Sequence, residues 1–340
     1  MADNTKIEWA DATVNAINGC SLASPGCTNC YAMRLAGTRM KHHPSRTGLT
    51  QDSKAGPVWT GEVRLNEKAL LEPLAWKRPR RIFWNAHGDT FHDAVPDEWI
   101  DRLFAVAALT PQHTHMILTK RSTRMREYLA GLVNRKMAVW RAMYGEARTQ
   151  AASAQLDSWY GGPSAAQWPL PNVWLGVSVE DQTRADERIP DLLATPAAVR
   201  FISAEPLLGP VDLDRLPAYT YGEPCYHSAL RAEFWHPSWD GPEPLADGRI
   251  DWVIVGGESG PGARPMHPNW ARSLRDQCAA AGVAFHFKQW GEHIAHSAPD
   301  ATWKDGTPVP ADLGPVTYQR VGKKAAGRLL DGVEHNGMPA

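Results

Sequence analysis

The sequence lacks an excess of charge of either sign: 36 Lys and Arg stand against 37 Asp and Glu, a formal net charge of -1. That balance supplies no molecule-wide field to gather nucleic acid or a membrane surface. Long apolar runs are missing too, so no membrane-spanning helix is expected. The opening Met1-Ala-Asp-Asn-Thr-Lys6 has no apolar core of the kind a signal peptide carries. Cysteine is scarce, five in 340 residues. Sparse, clustered thiols suit a reducing compartment and predict a cytoplasmic protein. No internal repeat organises the chain.

What is present is uneven. Three of the cysteines fall in one loop, Asn18-Gly-Cys-Ser-Leu-Ala-Ser-Pro-Gly-Cys-Thr-Asn-Cys-Tyr31, as Cys20-x6-Cys27-x2-Cys30. Gly19 precedes the first sulfur and Pro25-Gly26 the second, and such residues let a loop curl so that its sulfurs converge. A disulfide would use two thiols and strand the third. A structural zinc site needs a fourth ligand, for which His42 and His43 are nearest. A [4Fe–4S] cluster on three cysteines leaves one iron open to a substrate or cofactor. Spacing alone leaves these readings open, beside simple packing. The 15 tryptophans are spread along the chain as core and loop residues. The basic runs Arg78-Pro-Arg-Arg81 and Lys323-Lys324 read as solvated faces.

Taken in order, Lys6-Ile-Glu-Trp9 reads as a first short strand, and Tyr31 to Met40 suits a helix after the cysteine loop. Residues 43–61, with Pro44, Gly48, Gly56, Pro57 and Gly61, read as irregular. Asn66 to Trp76 reads as a helix against which Pro73 speaks. A rhythm then sets in. Short apolar strands are predicted at Arg81–Trp84, His115–Leu118, Asn172–Val177, Val199–Ile202, Asp251–Val255 and Val283–Phe287, with helical patterns between them, such as Asp97–Leu109. Apolar runs of this length separated by helices indicate parallel strands buried on both faces. With the first strand they make about seven strand–helix units. The predicted fold class is therefore α/β, a partial or near-complete (β/α) barrel over residues 1–295. Two insertions interrupt it, near 130–170, which holds Gly161-Gly-Pro163, and near 212–249, which holds Cys225. Residues 296–340 are expected to form a C-terminal extension packed on the barrel.

Each strand ends in a polar cluster: the cysteines, then Asp89, Lys120, Glu180, Glu205, Glu258 and Lys288. One such charge is an ordinary surface residue. Six on successive strands converge, in a barrel, on the C-terminal mouth where active sites are built.

The motifs Cys20-x6-Cys27-x2-Cys30-Tyr31-Ala32, Trp174-Leu-Gly-Val-Ser-Val-Glu180, Glu205-Pro-Leu-Leu-Gly-Pro210 and Gly256-Gly-Glu-Ser-Gly260 together resemble a phage-associated family with a three-cysteine motif and a domain of unknown function. Phe287-Lys-Gln-Trp-Gly291 and Gly322-Lys-Lys-Ala-Ala-Gly-Arg328 extend the likeness over nearly the whole chain, apart from the insertions. That family in turn is similar to the radical S-adenosylmethionine (SAM) superfamily, nearest in style to spore photoproduct lyase. The superfamily's usual spacing is Cys-x3-Cys-x2-Cys; here the first gap is six, and the aromatic Tyr31 follows the last cysteine.

The resemblance implies a [4Fe–4S] cluster held by Cys20, Cys27 and Cys30, which are also the catalytic residues, with SAM on the open iron. One electron from an external donor then cleaves SAM to methionine and a 5′-deoxyadenosyl radical. Under that reading Ser178, Glu180, Glu205 and Glu258 are the expected partners of the SAM ribose or ammonium. Lys120, or its neighbour Arg121, would pair with the carboxylate, and Gly256 and Gly257 would allow close backbone approach. Asp89, His87 and His92 are expected to face the substrate. Lys288 is either an anion contact or the partner of a glutamate. The substrate implied is a nucleic acid or nucleotide, in lyase-like DNA repair or modification, with no membrane partner. The alternative is a non-catalytic zinc- or cluster-stabilised binding module in phage biology or defence. A third possibility is a hydrolase-like use of the Asp and Glu residues.

Overall fold

The structure, a computed structural model, describes residues 5, 7–146, 168–220, 223–235, 241–244, 248–297 and 316–339. The chain divides into two compact units, one of residues 1–177 and 190–200, the other of 178–189 and 201–340. Both are mixed α/β, and together they hold seven parallel strands, numbered β1 to β7 in chain order.

In the first unit β1 (Ala12–Val14), β2 (Arg81–Trp84), β3 (Thr114–Thr119) and β4 (Val173–Ser178) lie side by side in that order. Their registers pair Val14 with Trp84, Trp84 with Ile117, and Ile117 with Leu175. These strands formed where the sequence runs apolar because both faces are covered: Ile82, Trp84, Met116, Ile117, Leu175 and Val177 are all buried. The helix Asp97–Leu109 matches its expected bounds, with Pro96 before it and Asp97 and Glu98 in its first turn. Ile100, Leu103, Phe104 and Ala107 form its buried face, and each large apolar side chain so covered contributes about 1.5–3 kcal/mol.

Three expectations fail locally in this unit. Glu8 and Trp9 form a turn rather than a strand, Lys6 lies outside the described residues, and the first strand starts only at Ala12. A short apolar run does not by itself distinguish strand from turn. The supposed helix Asn66–Trp76 breaks at Leu71, ahead of Pro73, into Glu67–Leu70, capped by the Asn66 side chain, and a 3-10 turn Glu72–Ala75 that Pro73 opens. The stretch read as irregular contains a β-hairpin, Thr50–Ser53 against Gly56–Trp59. It packs on helix α1 (Tyr31–Gly37) so closely that a Cβ on Gly37 would stand 2.1 Å from the Pro57 Cβ. Of the 130–170 excursion, helix Leu132–Glu146 is described; Gly161-Gly-Pro163 lies outside the described residues.

In the second unit β5 (Val199–Ala204, from Phe201 onward), β6 (Trp252–Gly256) and β7 (Ala284–Gln289) are again parallel and adjacent in that order. Helix Pro268–Ala281 crosses between β6 and β7 and ends at Gly282, whose φ of 64° suits glycine. The 212–249 excursion holds an antiparallel sheet of Leu216–Thr220, Glu223–Ser228, Glu233–Trp235 and Glu243–Pro244. After β7, His293–Ser297 pairs with Val316–Arg320, and residues 298–315 lie outside the described residues. The tail then runs along β7: the Phe287 N–H donates to the His335 carbonyl and the Gly337 N–H to the Phe285 carbonyl, each at 2.9 Å. Among the described residues no helix is long and apolar enough to cross a membrane.

Candidate functional site

In the first unit the cysteine loop springs from a tight crossing. Gly19, at φ 95°, donates its N–H to the His87 carbonyl, and a Cβ there would meet the Glu62 carbonyl at 2.1 Å. Only glycine fits. The loop then closes through a 3-10 turn, Pro25–Cys27, and Cys30 caps the start of α1. Cys20 and Cys30 pack against an apolar cluster of Ala32, Met33, Ala36, Leu49 and Trp59, the last from the hairpin.

The electrostatics of the three thiols differ. Burial pushes the Cys20 thiol up to about 12, Asp89 adding to the push and Arg121 opposing it. Burial also raises Cys30, but the backbone N–H groups of Met33 and Ala32 and the Trp59 side chain work the other way on its sulfur. Cys27, 8% exposed, is close enough to both to disfavour their ionisation. All five cysteines are free thiols.

Asp89 and Arg121 hold this loop in place. Asp89 Oδ1 accepts from the Phe91 N–H and Thr119 Oγ1, and Oδ2 from the Lys120 N–H and Arg121. Arg121 in turn donates to Ser21 O at 2.9 Å and Ser21 Oγ at 2.8 Å. The Ala94 N–H donates to His92 Nδ1, so the neutral ring carries its proton on Nε2, 2.9 Å from Ser21 Oγ. Burial, helped by Arg121, keeps His92 below the ordinary imidazole value. His92 therefore donates to Ser21 and does not serve it as a base, which removes a Ser–His nucleophile from consideration. His87 accepts from Arg46 at 2.7 Å, and burial with that guanidinium lowers it to about 4. Lys120 is half-buried and gives its backbone N–H to Asp89.

The second unit collects the later candidates. Glu180, 0% exposed, accepts from Arg188 at 2.9 Å, and the same guanidinium donates to Ser178 O at 2.7 Å. Glu258 takes a two-pronged contact from Arg264, at 2.6 and 2.9 Å. Glu258 foremost, with Glu180 adding to it, raises Arg264 against the cost of burial. Lys288 Nζ lies 2.6 and 2.8 Å from the Glu205 oxygens. Lys288 thus takes the glutamate-pairing role, one of the two expected for it. The close approach that two glycines permit is to the protein itself. A Cβ on Gly257 would sit 2.0 Å from the Trp290 carbonyl oxygen, and one on Gly256 would stand 3.2 Å from the Glu205 carboxyl carbon.

Each unit thus gathers one part of the predicted set: the cysteines with Asp89, His92, His87 and Lys120 in the first, and Ser178, Glu180, Glu205, Glu258, Gly256, Gly257 and Lys288 in the second. Sequence reasoning missed the counter-ions Arg188 and Arg264 and the buried Arg46. No local pattern in the sequence pointed to any of them, since each meets its partner only in the folded chain.

The loop fits an iron–sulfur cluster in its chemistry: three thiols, N–H donors on one sulfur, an apolar wall and a nearby cation. Its sulfurs are not drawn into a closed set, however. Among the described residues no three His, Cys, Asp or Glu side chains form a group able to hold a metal ion. His42 and His43 are exposed, and His43 bonds Ser45. A bound cation reverses the effect of burial and favours thiolates.

Residues 4–339 match the family model described as protein of unknown function (DUF5131), and the chain belongs to that family. No curated protein and no solved structure matches it.

Proposed function

We propose that this member of a family without an assigned function is an iron–sulfur enzyme of the radical SAM type, its seven parallel strands a partial barrel of that kind. Cys20, Cys27 and Cys30 hold the cluster, and a nucleic acid or nucleotide is the substrate. The observation that carries the reading is the donor set around one curled loop: three buried or half-buried thiols, two backbone N–H groups and the Trp59 side chain acting on Cys30, and Arg121 beside Cys20. When bound, a [4Fe–4S] cluster supplies the electron that cleaves SAM to a 5′-deoxyadenosyl radical.

The chain's own residues do the placing. Asp89 fixes Arg121, Arg121 fixes Ser21, and so the loop is held beside Cys20. The wall of Met33, Leu49 and Trp59 covers one side of two partly buried sulfurs, and the fewer waters there are, the stronger each charge interaction becomes. The electron comes from an outside donor in a reducing cytoplasm. Lyase-like DNA repair or modification, in a phage setting, is the role that the motif resemblance supports.

A second reading is a non-catalytic, metal-stabilised binding module. It is favoured by the second unit, where Glu180, Glu205 and Glu258 each have a cationic partner within the protein. Anaerobic purification separates the two. The enzyme reading expects a brown protein with about four irons per chain, lost in Cys27→Ala, and 5′-deoxyadenosine on adding dithionite and SAM. A colourless protein with stoichiometric zinc, or iron without SAM cleavage, rejects it.

A further inference from the structure

Around the turn 44–47, downstream of the cysteine loop, two guanidinium groups bind the same few residues without a carboxylate. Arg46 is 5% exposed. Its Nη1 donates to Ser45 O at 3.2 Å and Ser45 Oγ at 3.0 Å, and its Nη2 meets His87 Nδ1 at 2.7 Å. Arg64 spans the same turn, donating to Pro44 O at 2.7 Å and Thr47 O at 2.9 Å. Every one of these acceptors is neutral, and among the described residues no carboxylate stands among the partners of either arginine. Burial foremost, with the charge of Arg64 adding to it, lowers Arg46 to about 10. A buried cation beside a second cation is unfavourable unless an anion joins them.

Two neighbours say what kind of anion. His87 accepts at Nδ1, so its neutral ring keeps a proton on Nε2, for which no acceptor occurs among the described residues. Tyr31, 56% exposed, stands edge-on to His87 at 5.9 Å between centroids and is anchored by its hydroxyl to Ala86 O at 2.9 Å. Paired guanidinium forks match phosphate oxygens, and a fixed, exposed ring offers a face on which a base can stack.

We propose that Arg46, Arg64, His87 and Tyr31 form a binding site for a phosphate group carried by a nucleotide or nucleic-acid strand. The site deepens the substrate assignment above and rests on it only for the identity of the phosphate carrier; it needs no cluster.

The test is protection and binding on the full-length chain as purified, with iron measured in the same sample. Phenylglyoxal labelling with peptide mass spectrometry reads the partly exposed Arg64 without any mutation. Inorganic phosphate at 10 mM is expected to slow its labelling several-fold relative to chloride at equal ionic strength. Arg64→Gln and Arg46→Gln are each expected to weaken phosphate binding at least tenfold, by 31P line broadening. A short single-stranded oligonucleotide that binds more tightly than phosphate, and depends on Tyr31→Ala as well, identifies a strand; a mononucleotide doing so alone identifies a nucleotide. Equal labelling in phosphate and chloride, or unchanged binding in a folded Arg64→Gln protein, overturns the site. Phosphate binding in a protein that takes up no iron leaves the site standing and removes the radical chemistry; iron without phosphate binding does the reverse.

Discussion

Asp89 has both oxygens occupied. It was expected to face a substrate, yet four donors reach it from Phe91, Thr119, Lys120 and Arg121. Its work is to hold Arg121, and through it Ser21 and the cysteine loop. Asp89→Ala leaves a guanidinium of which little is exposed without its carboxylate, and breaking such a pair costs about 3–5 kcal/mol, readable as a lowered urea midpoint. The milder Asp89→Asn keeps most of the hydrogen bonding and removes the charge. Asp89 helps burial to hold the Cys20 thiol at about 12; without its charge the thiol ionises more readily. Iodoacetamide should label Cys20 slowly in the metal-free wild type at pH 8, and faster in Asp89→Asn, since the thiolate is the nucleophile. An unchanged rate in a folded Asp89→Asn protein would show that the carboxylate field does not act on that sulfur.

At the scale of elements, the parallel strands were legible and the hairpin was not. Ile82-Phe-Trp84 and Trp252-Val-Ile-Val255 are apolar without alternation, the pattern of strands covered on both faces. The hairpin strand Thr50-Gln-Asp-Ser53 is partly to fully exposed and polar, while Gly56 and Pro57 open its partner, so nothing in the local pattern separates it from a loop. What reveals it is a distant contact, Trp59 closing over the cysteines and Pro57 over α1. Gly37→Ala tests this directly. The new methyl would overlap the Pro57 ring, which cannot swing away, and overpacking of this sort costs about 1–3 kcal/mol. Loss of stability in urea, together with faster alkylation of Cys30, is the expected outcome. A Gly37→Ala protein as stable as wild type would mean that hairpin and helix have room to separate.

For the molecule as a whole, the sequence showed which side chains carry charge at the strand ends and offered Lys288 as a glutamate's partner, but not which glutamate it meets nor what meets the others. Glu180, Glu205 and Glu258 stood out because they follow apolar strands. Their partners Arg188, Lys288 and Arg264 come from a helix, a later strand and a loop, and only folding brings them in. This changes how the second unit must be probed. Glu180→Ala alone strands the buried Arg188 and is expected to cost about 3–5 kcal/mol, whatever Glu180 does for a cofactor. Replacing both members, Glu180→Leu with Arg188→Met, removes charge and counter-charge together; swaps of this kind are near neutral or stabilising. Because Glu180 is wholly buried and already paired, the double variant should stay folded and, under the proposed radical SAM function, bind iron and release 5′-deoxyadenosine from SAM as the wild type would. A folded, iron-loaded double variant that has lost SAM cleavage would make Glu180 a cofactor ligand after all, with Arg188 holding its carboxylate in position.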